Sequence, residues 1–350
     1  MPRVRLKAGE VARELLAFEH RLARAPLALA GSFDPRTGTT PRELVSRVEG
    51  TALHRYTSVR RDPALPPLLV VYALVNRPYM ADLMPGRSLV AEMLERGLDV
   101  YLIEWGEPDG GLTLSDYAER YLDAHVDAVR RASGHAAINL LGICQGGVFS
   151  LCYTVLHPEK VCRLVTTVTP VDFHTPRDAL SRLVRHVDPE LIDGARGVIP
   201  GAVLNALFLM LKPYRLTQLK YLDMLEHLDD ADAMRLFLKM ERWIFDSPPL
   251  AAPALREFLS TFYQGNGFVT GRVEIGGRAV NLRALVTPIL NVYAKDDHLV
   301  PPEASRALGA LVPDAAYSEY ELPGGHIGMY VGKSSAVRVA ETVANWLSRR

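Results

Sequence analysis

Short, continuous runs of apolar residues recur along most of the chain and alternate with stretches that show helical spacing. The first run is Leu68 to Val75, and others lie at 99–103, 136–141, 161–169, 289–293 and 316–322. Between them, residues 88–96, 114–131 and 337–347 have the apolar spacing of amphipathic helices. Strands that are apolar throughout and alternate with helices are typical of a parallel sheet covered on both faces. The pattern therefore predicts an α/β fold around a mostly parallel central sheet.

Two parts of the chain depart from this alternation. Residues 10–30 have the pattern of an amphipathic helix, whereas residues 31–64 are rich in Pro, Gly, Arg and Thr and show no clear periodicity. Between 172 and 270 the strand pattern gives way to helical segments. We therefore expect an N-terminal helix and irregular segment over 1–64, a core formed by 65–171 and 271–350, and a helical cap inserted over 172–270.

Composition narrows the class of protein. The 350 residues include 40 Lys or Arg and 40 Asp or Glu, so the chain has no net charge at neutral pH and no nucleic-acid partner is expected. It has three cysteines without C-x-x-C spacing, no apolar signal segment at its start and no apolar run long enough to cross a membrane, which favours a cytoplasmic protein. No H-E-x-x-H motif or Cys/His cluster suggests a metal.

The strand that ends near residue 141 leads into Gly142-Ile143-Cys144-Gln145-Gly146-Gly147, and a helix-like run follows. In an α/β-hydrolase this strand–turn–helix is the nucleophile elbow, where the residues two before and two after the nucleophile must be small. Gly142 and Gly146 meet that demand, and Cys144 takes the place that serine has in most such enzymes. A thiol at a helix N-terminus faces the positive end of the helix dipole, which favours the reactive thiolate.

Two later loops supply partners for this thiol. Asp296 and Asp297 follow the strand at 289–293, and the glycine-flanked His326 follows the last strand. The chain order of nucleophile, acid and histidine is that of the α/β-hydrolase fold, not that of chymotrypsin or subtilisin. We prefer Asp297 as the acid because the pattern D-x-x-V-P places it where the acid leaves the strand, with Asp296 as the alternative. The predicted fold class is an α/β-hydrolase fold with a helical cap insertion.

Together with other segments, these motifs resemble the polyhydroxyalkanoate synthases, and specifically the short catalytic subunit of the two-component, class III type. The resemblance covers nearly the whole chain from about Tyr72 onward. Its segments are Asn76-Arg77-Pro78-Tyr79-Met80-Ala81-Asp82-Leu83, Ser88-Leu89-Val90, Glu104-Trp105-Gly106-Glu107-Pro108-Asp109, the cysteine motif at 142–147, Glu241-Arg242-Trp243-Ile244-Phe245-Asp246-Ser247-Pro248, Asp297-His298 and Gly324-Gly325-His326.

The resemblance implies that Cys144, Asp297 and His326 form a catalytic triad. It also implies polymerisation of an (R)-3-hydroxyacyl-CoA, with 3-hydroxybutyryl-CoA as the expected monomer, to polyhydroxyalkanoate with release of CoA. The CoA thioester is the substrate, so no separate cofactor is expected. Because the chain lacks the long N-terminal extension of single-component synthases, a second, non-catalytic synthase subunit is expected, of the class III type or of the smaller class IV type. Association with the polymer granule surface and a homodimer or higher oligomer are also expected.

In this scheme His326 takes the proton of Cys144. The backbone N–H of Gln145, with one from the loop near Asn76, forms the oxyanion hole. Asp297 orients His326 and, as the family suggests, helps to activate the 3-hydroxyl of the incoming unit. His298 is either a substrate contact or a structural residue.

Two other functions stay open at this point. A cysteine-dependent hydrolase, such as a thioesterase or a dienelactone-hydrolase-like enzyme, would use the same triad. A granule or assembly subunit could keep the fold without catalysis, although an intact triad argues against that role. Transfer of an acyl group from the CoA thiol to Cys144 exchanges one thioester for another, so the acyl group stays activated for attack by a hydroxyl, which favours polymerisation.

Overall fold

The computed structural model describes residues 8–32, 34, 36–58, 60–193 and 197–349. The chain divides into two compact units, each built from two stretches of sequence. Residues 37–204 and 247–350 form the larger one, the sheet unit, and residues 1–36 and 205–246 form the smaller one, the helical unit. All of the predicted site residues belong to the sheet unit.

One eight-stranded sheet organises the sheet unit. Its strands, in chain order, are β1 (Arg42–Val48), β2 (Thr51–Tyr56), β3 (Leu68–Val71), β4 (Val100–Glu104), β5 (Ile138–Ile143), β6 (Val161–Thr167), β7 (Ile289–Ala294) and β8 (Tyr317–Leu322). Their order across the sheet is β1-β2-β4-β3-β5-β6-β7-β8. The strands from β3 to β8 pair in parallel, whereas β2 is antiparallel to both of its neighbours. The predicted, mostly parallel sheet is confirmed.

The central strands are buried on both faces. Every side chain of β3, β5 and β7 is buried. Helical connections cover both sides of a parallel sheet, so its strands need apolar residues at successive positions. The carboxyl ends of β5, β7 and β8 lie at one edge of this sheet, where the loops that leave them can meet.

Helices make up most of the remaining structure. In chain order they are α1 (Ala8–Ser32), α2 (Leu89–Glu95), α3 (Leu122–Ser133), α4 (Gln145–Leu156), α5 (Ala179–Val184), α6 (Glu190–Asp193), α7 (Gly201–Met210), α8 (Lys220–Glu226), α9 (Ala231–Phe245), α10 (Ala252–Phe258), α11 (Gly267–Thr270), α12 (Pro302–Arg306), α13 (Gly328–Val331) and α14 (Lys333–Leu347). Three segments have π-helical turns: Asp116–Tyr121, Arg215–Leu219 and Leu259–Gln264. Within the described parts of the chain, no helix is both long and apolar enough to cross a lipid bilayer.

The prediction of an irregular segment over 31–64 was wrong, because β1 and β2 lie within it. These strands form the antiparallel edge of the sheet, and their pairing is interrupted by an irregularity between Leu44 and Ser46. All side chains of β1 are exposed or half-buried. A polar edge strand with a shifted register has no regular alternation of apolar and polar residues, so its sequence gives no period-2 pattern.

The strand predicted over Leu68 to Val75 ends earlier, at Val71. Beyond that point the backbone leaves the sheet and bonds to side chains instead. The carbonyl of Tyr72 accepts a hydrogen bond from the Trp105 indole N–H, at 2.9 Å. The N–H of Leu74 donates to the side chain of Gln145, also at 2.9 Å. Apolar residues continue the run because this loop is buried, not because it is a strand.

The residues predicted as a cap, 172–270, are divided between the two units. Residues 172–204 and 247–270 belong to the sheet unit, and 205–246 belong to the helical unit together with α1. In the helical unit a small core forms around Ala25, Leu225, Leu228 and Met234. The buried ammonium of Lys239 lies 3.2 Å from the carboxylate of Asp34, which supplies the opposite charge that a buried cation needs.

Candidate active site

Cys144 lies at the turn between β5 and α4. Its backbone has φ 55° and ψ −119°, a conformation that residues other than glycine rarely adopt. Its N–H donates to the carbonyl of Thr167 on the neighbouring strand β6, at 2.9 Å, and its side chain is half-buried. A strained residue at a sharp strand-to-helix turn is the geometry of a nucleophile elbow.

The glycines around Cys144 leave no room for side chains. A Cβ on Gly142 would lie 2.4 Å from the Cα of Gly147, and a Cβ on Gly146 would lie 2.1 Å from the carbonyl oxygen of Val71. A Cβ on Gly147 would lie 1.8 Å from the hydroxyl of Thr169. These distances are far shorter than van der Waals contact, so the turn requires glycine at all three positions.

The loops after β7 and β8 bring Asp297 and His326 together. His326 Nδ1 lies 2.7 Å from Asp297 Oδ2, and both residues are buried. The other carboxylate oxygen of Asp297 accepts hydrogen bonds from the N–H groups of Leu299 at 2.9 Å and Val300 at 3.0 Å. The carboxylate is therefore fixed in position, and because it bonds to Nδ1, the Nε2 atom of His326 faces the opposite side of the ring.

The protonation of His326 is coupled to Cys144. Burial of the imidazole lowers its pKa, but the charges of Asp297 and Cys144, with hydrogen bonds to both groups, raise it more strongly. The net result is a pKa of about 10. A histidine that is protonated near neutral pH and lies beside a thiol is the arrangement that activates a cysteine nucleophile.

The geometry favours Asp297 over Asp296 as the partner of His326. Asp296 is exposed, and its carboxylate accepts a hydrogen bond from the N–H of Gly324 at 3.3 Å. Its own N–H donates to the Gly324 carbonyl at 2.9 Å, so Asp296 ties the two loops together through the backbone. His298 is half-buried beside Asp297, and its role as a substrate contact stays a prediction.

The predicted oxyanion donors lie on two adjacent segments. Gln145 is the first residue of α4, so its N–H has no acceptor within the helix and is available to a substrate oxygen. Asn76 follows β3 in the loop 72–77, and its side chain donates to the Ser247 hydroxyl at 3.2 Å. The side-chain bond between Gln145 and Leu74 holds this loop to α4. The assignment of both donors stays a prediction.

Three tyrosines that the sequence analysis did not single out lie within electrostatic reach of Cys144. They are Tyr72 after β3, Tyr263 in the π-helical segment and Tyr330 in α13. Burial, followed by smaller effects that include the charge of Cys144, raises the pKa of each hydroxyl. None of them belongs to a short motif, and only the fold brings them together, so no sequence signal marks them.

This arrangement supports nucleophilic acyl transfer. A thiol at an elbow, a histidine linked to it and a carboxylate behind the histidine are the three groups that such a reaction uses. Among the residues that the structure describes, no three His, Cys, Asp or Glu side chains are grouped as a metal site would require.

Comparisons with known proteins agree with this fold. Residues 66–333 match the family model described as alpha/beta hydrolase fold. A solved monoacylglycerol lipase from Paleococcus ferrophilus has the same fold, with a TM-score of 0.53 and 15% identity over 85% of this chain and 98% of that one.

Curated relatives are similar along almost the full chain. The poly(3-hydroxyalkanoate) polymerase subunit PhaC of Allochromatium vinosum is 47% identical over 99% of both chains. The protein of the same name from Synechocystis sp. is 48% identical over 91% of this chain and 86% of its own. Identity at this level and coverage, on the α/β-hydrolase fold, shows that this chain belongs to the PhaC family of poly(3-hydroxyalkanoate) polymerase subunits, which are acyltransferases.

Proposed function

We propose that this protein polymerises (R)-3-hydroxyacyl units from their CoA thioesters, with release of CoA, through an acyl group bound to Cys144. The observation that carries this proposal is the buried Asp297–His326 pair, whose protonation is coupled to the thiol at the elbow. Membership of the PhaC family supports it.

Acylation of Cys144 is the first step. The Cys144 thiolate attacks the thioester carbonyl, and the oxyanion that forms is stabilised by the N–H of Gln145 and by one from the loop near Asn76. The bond to the CoA sulfur then breaks, and the proton on His326 Nε2 passes to that sulfur. CoA leaves as the thiol, and a thioester to Cys144 remains.

Chain growth is the second step. The 3-hydroxyl of another 3-hydroxyacyl unit attacks the Cys144 thioester, while the now neutral His326 accepts the hydroxyl proton. An ester bond forms as the thioester breaks, and the thiolate–imidazolium pair is restored. Asp297 holds the imidazole in the tautomer that this step needs and stabilises its charge.

Cysteine suits this reaction better than serine. A thioester to Cys144 is close in free energy to the CoA thioester, so the acyl group keeps its activation for attack by an alcohol. Water competes with that alcohol, so the site must exclude it. The segments 172–204 and 247–270 carry clustered aromatic rings: Phe173 lies 6.2 Å from Phe258 and 5.7 Å from Phe262, measured between ring centroids. We propose that the segments 172–204 and 247–270 restrict the access of water.

The finer points of the proposal rest on the family resemblance. We propose 3-hydroxybutyryl-CoA as the monomer, no cofactor, and a homodimer or higher oligomer that works in the cytoplasm at the surface of polymer granules. The relatives are named as polymerase subunits, which supports a second, non-catalytic subunit of the class III or class IV type.

The test is turnover of 3-hydroxybutyryl-CoA by the purified chain, alone and with a small helical protein encoded beside it. We expect CoA release with formation of insoluble polymer, and a higher rate with the second protein. Stoichiometric free 3-hydroxybutyrate without polymer would instead identify a thioesterase. Activity that is complete without any partner would remove the two-subunit part of the proposal.

A further inference from the structure

The side chain of Gln145 has a contact that its expected backbone role does not use. Gln145 is 8% exposed, and its Oε1 accepts a hydrogen bond from the backbone N–H of Leu74 at 2.9 Å. Leu74 lies 71 residues earlier in the chain, in the loop 72–77 that leaves β3. The bond therefore joins the residue directly after Cys144 to the loop that carries the second predicted oxyanion donor.

Other contacts hold the same loop on either side of this bond. The Tyr72 carbonyl accepts from the Trp105 indole at 2.9 Å, and the Asn76 side chain donates to Ser247 at 3.2 Å. Those two bonds fix the loop to β4 and to the segment after α9, whereas the Leu74 bond fixes it to the elbow helix. Of these three contacts, only the Gln145 side chain links the loop to the element that carries the nucleophile.

This bond also limits which N–H groups can bind the oxyanion. The Leu74 N–H is already donated to Gln145, so the donor from this loop is another residue, such as Asn76. The oxyanion hole works only when its donors are held in advance around one oxygen position. A direct bond between the two donor-bearing segments fixes their separation.

We propose that the Gln145 side chain is a positioning residue, which holds the loop 72–77 so that its N–H and that of Gln145 face the same oxyanion. The proposal rests on the acyl-transfer function proposed above. The carboxamide acts only through the loop and does not itself touch the reacting atoms.

Two variants test this role, because both keep the Gln145 backbone N–H and remove the Oε1 acceptor. Gln145→Met preserves the length of the side chain, and Gln145→Ala is the second variant if methionine perturbs folding. The first measurement is single-turnover release of CoA from 3-hydroxybutyryl-CoA. We expect acylation to slow by about 10- to 100-fold, less than the loss of an oxyanion donor itself.

Alkylation of Cys144 by iodoacetamide is the discriminating measurement. This displacement at a saturated carbon needs the thiolate but forms no oxyanion, so its rate should stay within about twofold of the wild type. A loss of elbow structure would slow both reactions. The matched control is Asn139→Leu, which removes another buried amide-to-backbone bond, from the Asn139 side chain to Pro66 at 2.9 Å, at the far end of β5. We expect that variant to keep both rates.

Unchanged acylation in a folded variant would overturn the proposal, as would acylation and alkylation that fall together. Failure of both variants to fold would give the bond a purely structural role and would also overturn it. The test of Gln145 can be separated from the test of the proposed function. If the wild type released CoA but made free acid, polymerisation would be excluded. The acylation rates would still decide the role of Gln145.

Discussion

The proposed nucleophile and the proposed acid–base pair of this site are held in place by different physical means. Cys144 is positioned by backbone approaches so close that Gly142 and Gly146 have no space for a Cβ. His326 is positioned by a side-chain hydrogen bond to Asp297, which is itself fixed by two backbone N–H groups. The elbow is thus sensitive to volume, because backbone atoms cannot move aside, whereas the pair is sensitive to charge and to pH.

The largest expected effect comes from the nucleophile itself. Cys144→Ser should lower CoA release and polymer formation by several orders of magnitude, because a hydroxyl is a weaker nucleophile near neutral pH and forms a less activated oxyester. The change adds no volume, so the fold should be unchanged. Single-turnover CoA release and circular dichroism measure the two properties.

The half-buried Cys162 provides the control, since Cys162→Ser should retain most of the activity. Near-wild-type CoA release by Cys144→Ser would contradict the assignment of the nucleophile.

The volume sensitivity of the elbow is tested with Gly146→Ala. The new Cβ would meet the Val71 carbonyl at 2.1 Å, and overpacking against atoms that cannot move typically costs about 1–3 kcal/mol or more of unfolding free energy. We expect a loss of that order in urea denaturation, with at least about 100-fold lower activity because the turn that carries Cys144 must shift.

Gly111→Ala is the matched control, because a Cβ there would meet only the Asp109 carboxylate, at 3.8 Å, which is ordinary van der Waals contact. It should keep both stability and activity. If Gly146→Ala and Gly111→Ala had the same stability and activity, close packing around Gly146 would not be what holds the elbow in place.

The charge sensitivity of the pair is tested with Asp297→Asn, which keeps the size of the side chain. We expect elongation to slow more than first acylation, because a thiol beside histidine ionises partly without help, whereas the secondary hydroxyl of the 3-hydroxyacyl unit does not. Stopped-flow measurement of the first CoA release, compared with steady-state polymer formation, separates the steps. If both slow equally, Asp297 has no second role in elongation.

The pH dependence of stability, which should leave activity at neutral pH untouched, most sharply separates the two parts of the site. The pKa of His326 is raised to about 10, so between pH 6.5 and about 10 the folded state binds more protons than the unfolded state. The contribution of His326 to the free energy of unfolding is complete below pH 6.5. It is lost as the pH rises towards 10, by at most about 1.4 kcal/mol per pH unit.

Urea denaturation from pH 6.5 to 10 should show this decline in the wild type and a flatter profile in Asp297→Asn. His125 should act in the opposite direction, because burial lowers its pKa to about 4. The stability that the neutral, buried His125 allows is present above pH 6.5, and the free energy of unfolding falls as the pH drops from 6.5 towards 4. Identical alkaline profiles for the wild type and Asp297→Asn would contradict the coupling between Asp297 and His326.

The sequence predicted the parts of the fold that have strong local patterns. Strands buried on both faces, such as β5 and β7, are apolar at successive positions, and the elbow combines a strand, small residues and a helix within a few positions. The edge strand β1 could not be predicted, because its polar residues and a register irregularity remove its periodicity, and its partner β2 was missed with it. The end of β3 was misplaced because buried loop and buried strand have the same apolar composition.

In the candidate site, too, residues in short motifs could be predicted and residues brought together by distant contacts could not. Cys144 and His326 could be found because each lies in a short motif, and the D-x-x-V-P pattern favoured Asp297 over Asp296. The surrounding tyrosines and the bond from Leu74 to the side chain of Gln145 could not, because they depend on contacts between residues far apart in the chain. Only the assembled sheet brings Tyr72, Tyr263 and Tyr330 around Cys144.

The order in which the strands are made has a consequence for the synthesis of this protein in the cell. Cys144 follows the fifth strand, whereas His326 follows β8, the last strand of the chain. Domains can begin to fold while the ribosome is still adding residues. On the proposed assignment, a nascent chain carries its nucleophile without its base until the final strand has emerged and paired with β7. On that assignment, we expect acyl transfer to begin only after β8 has paired with β7.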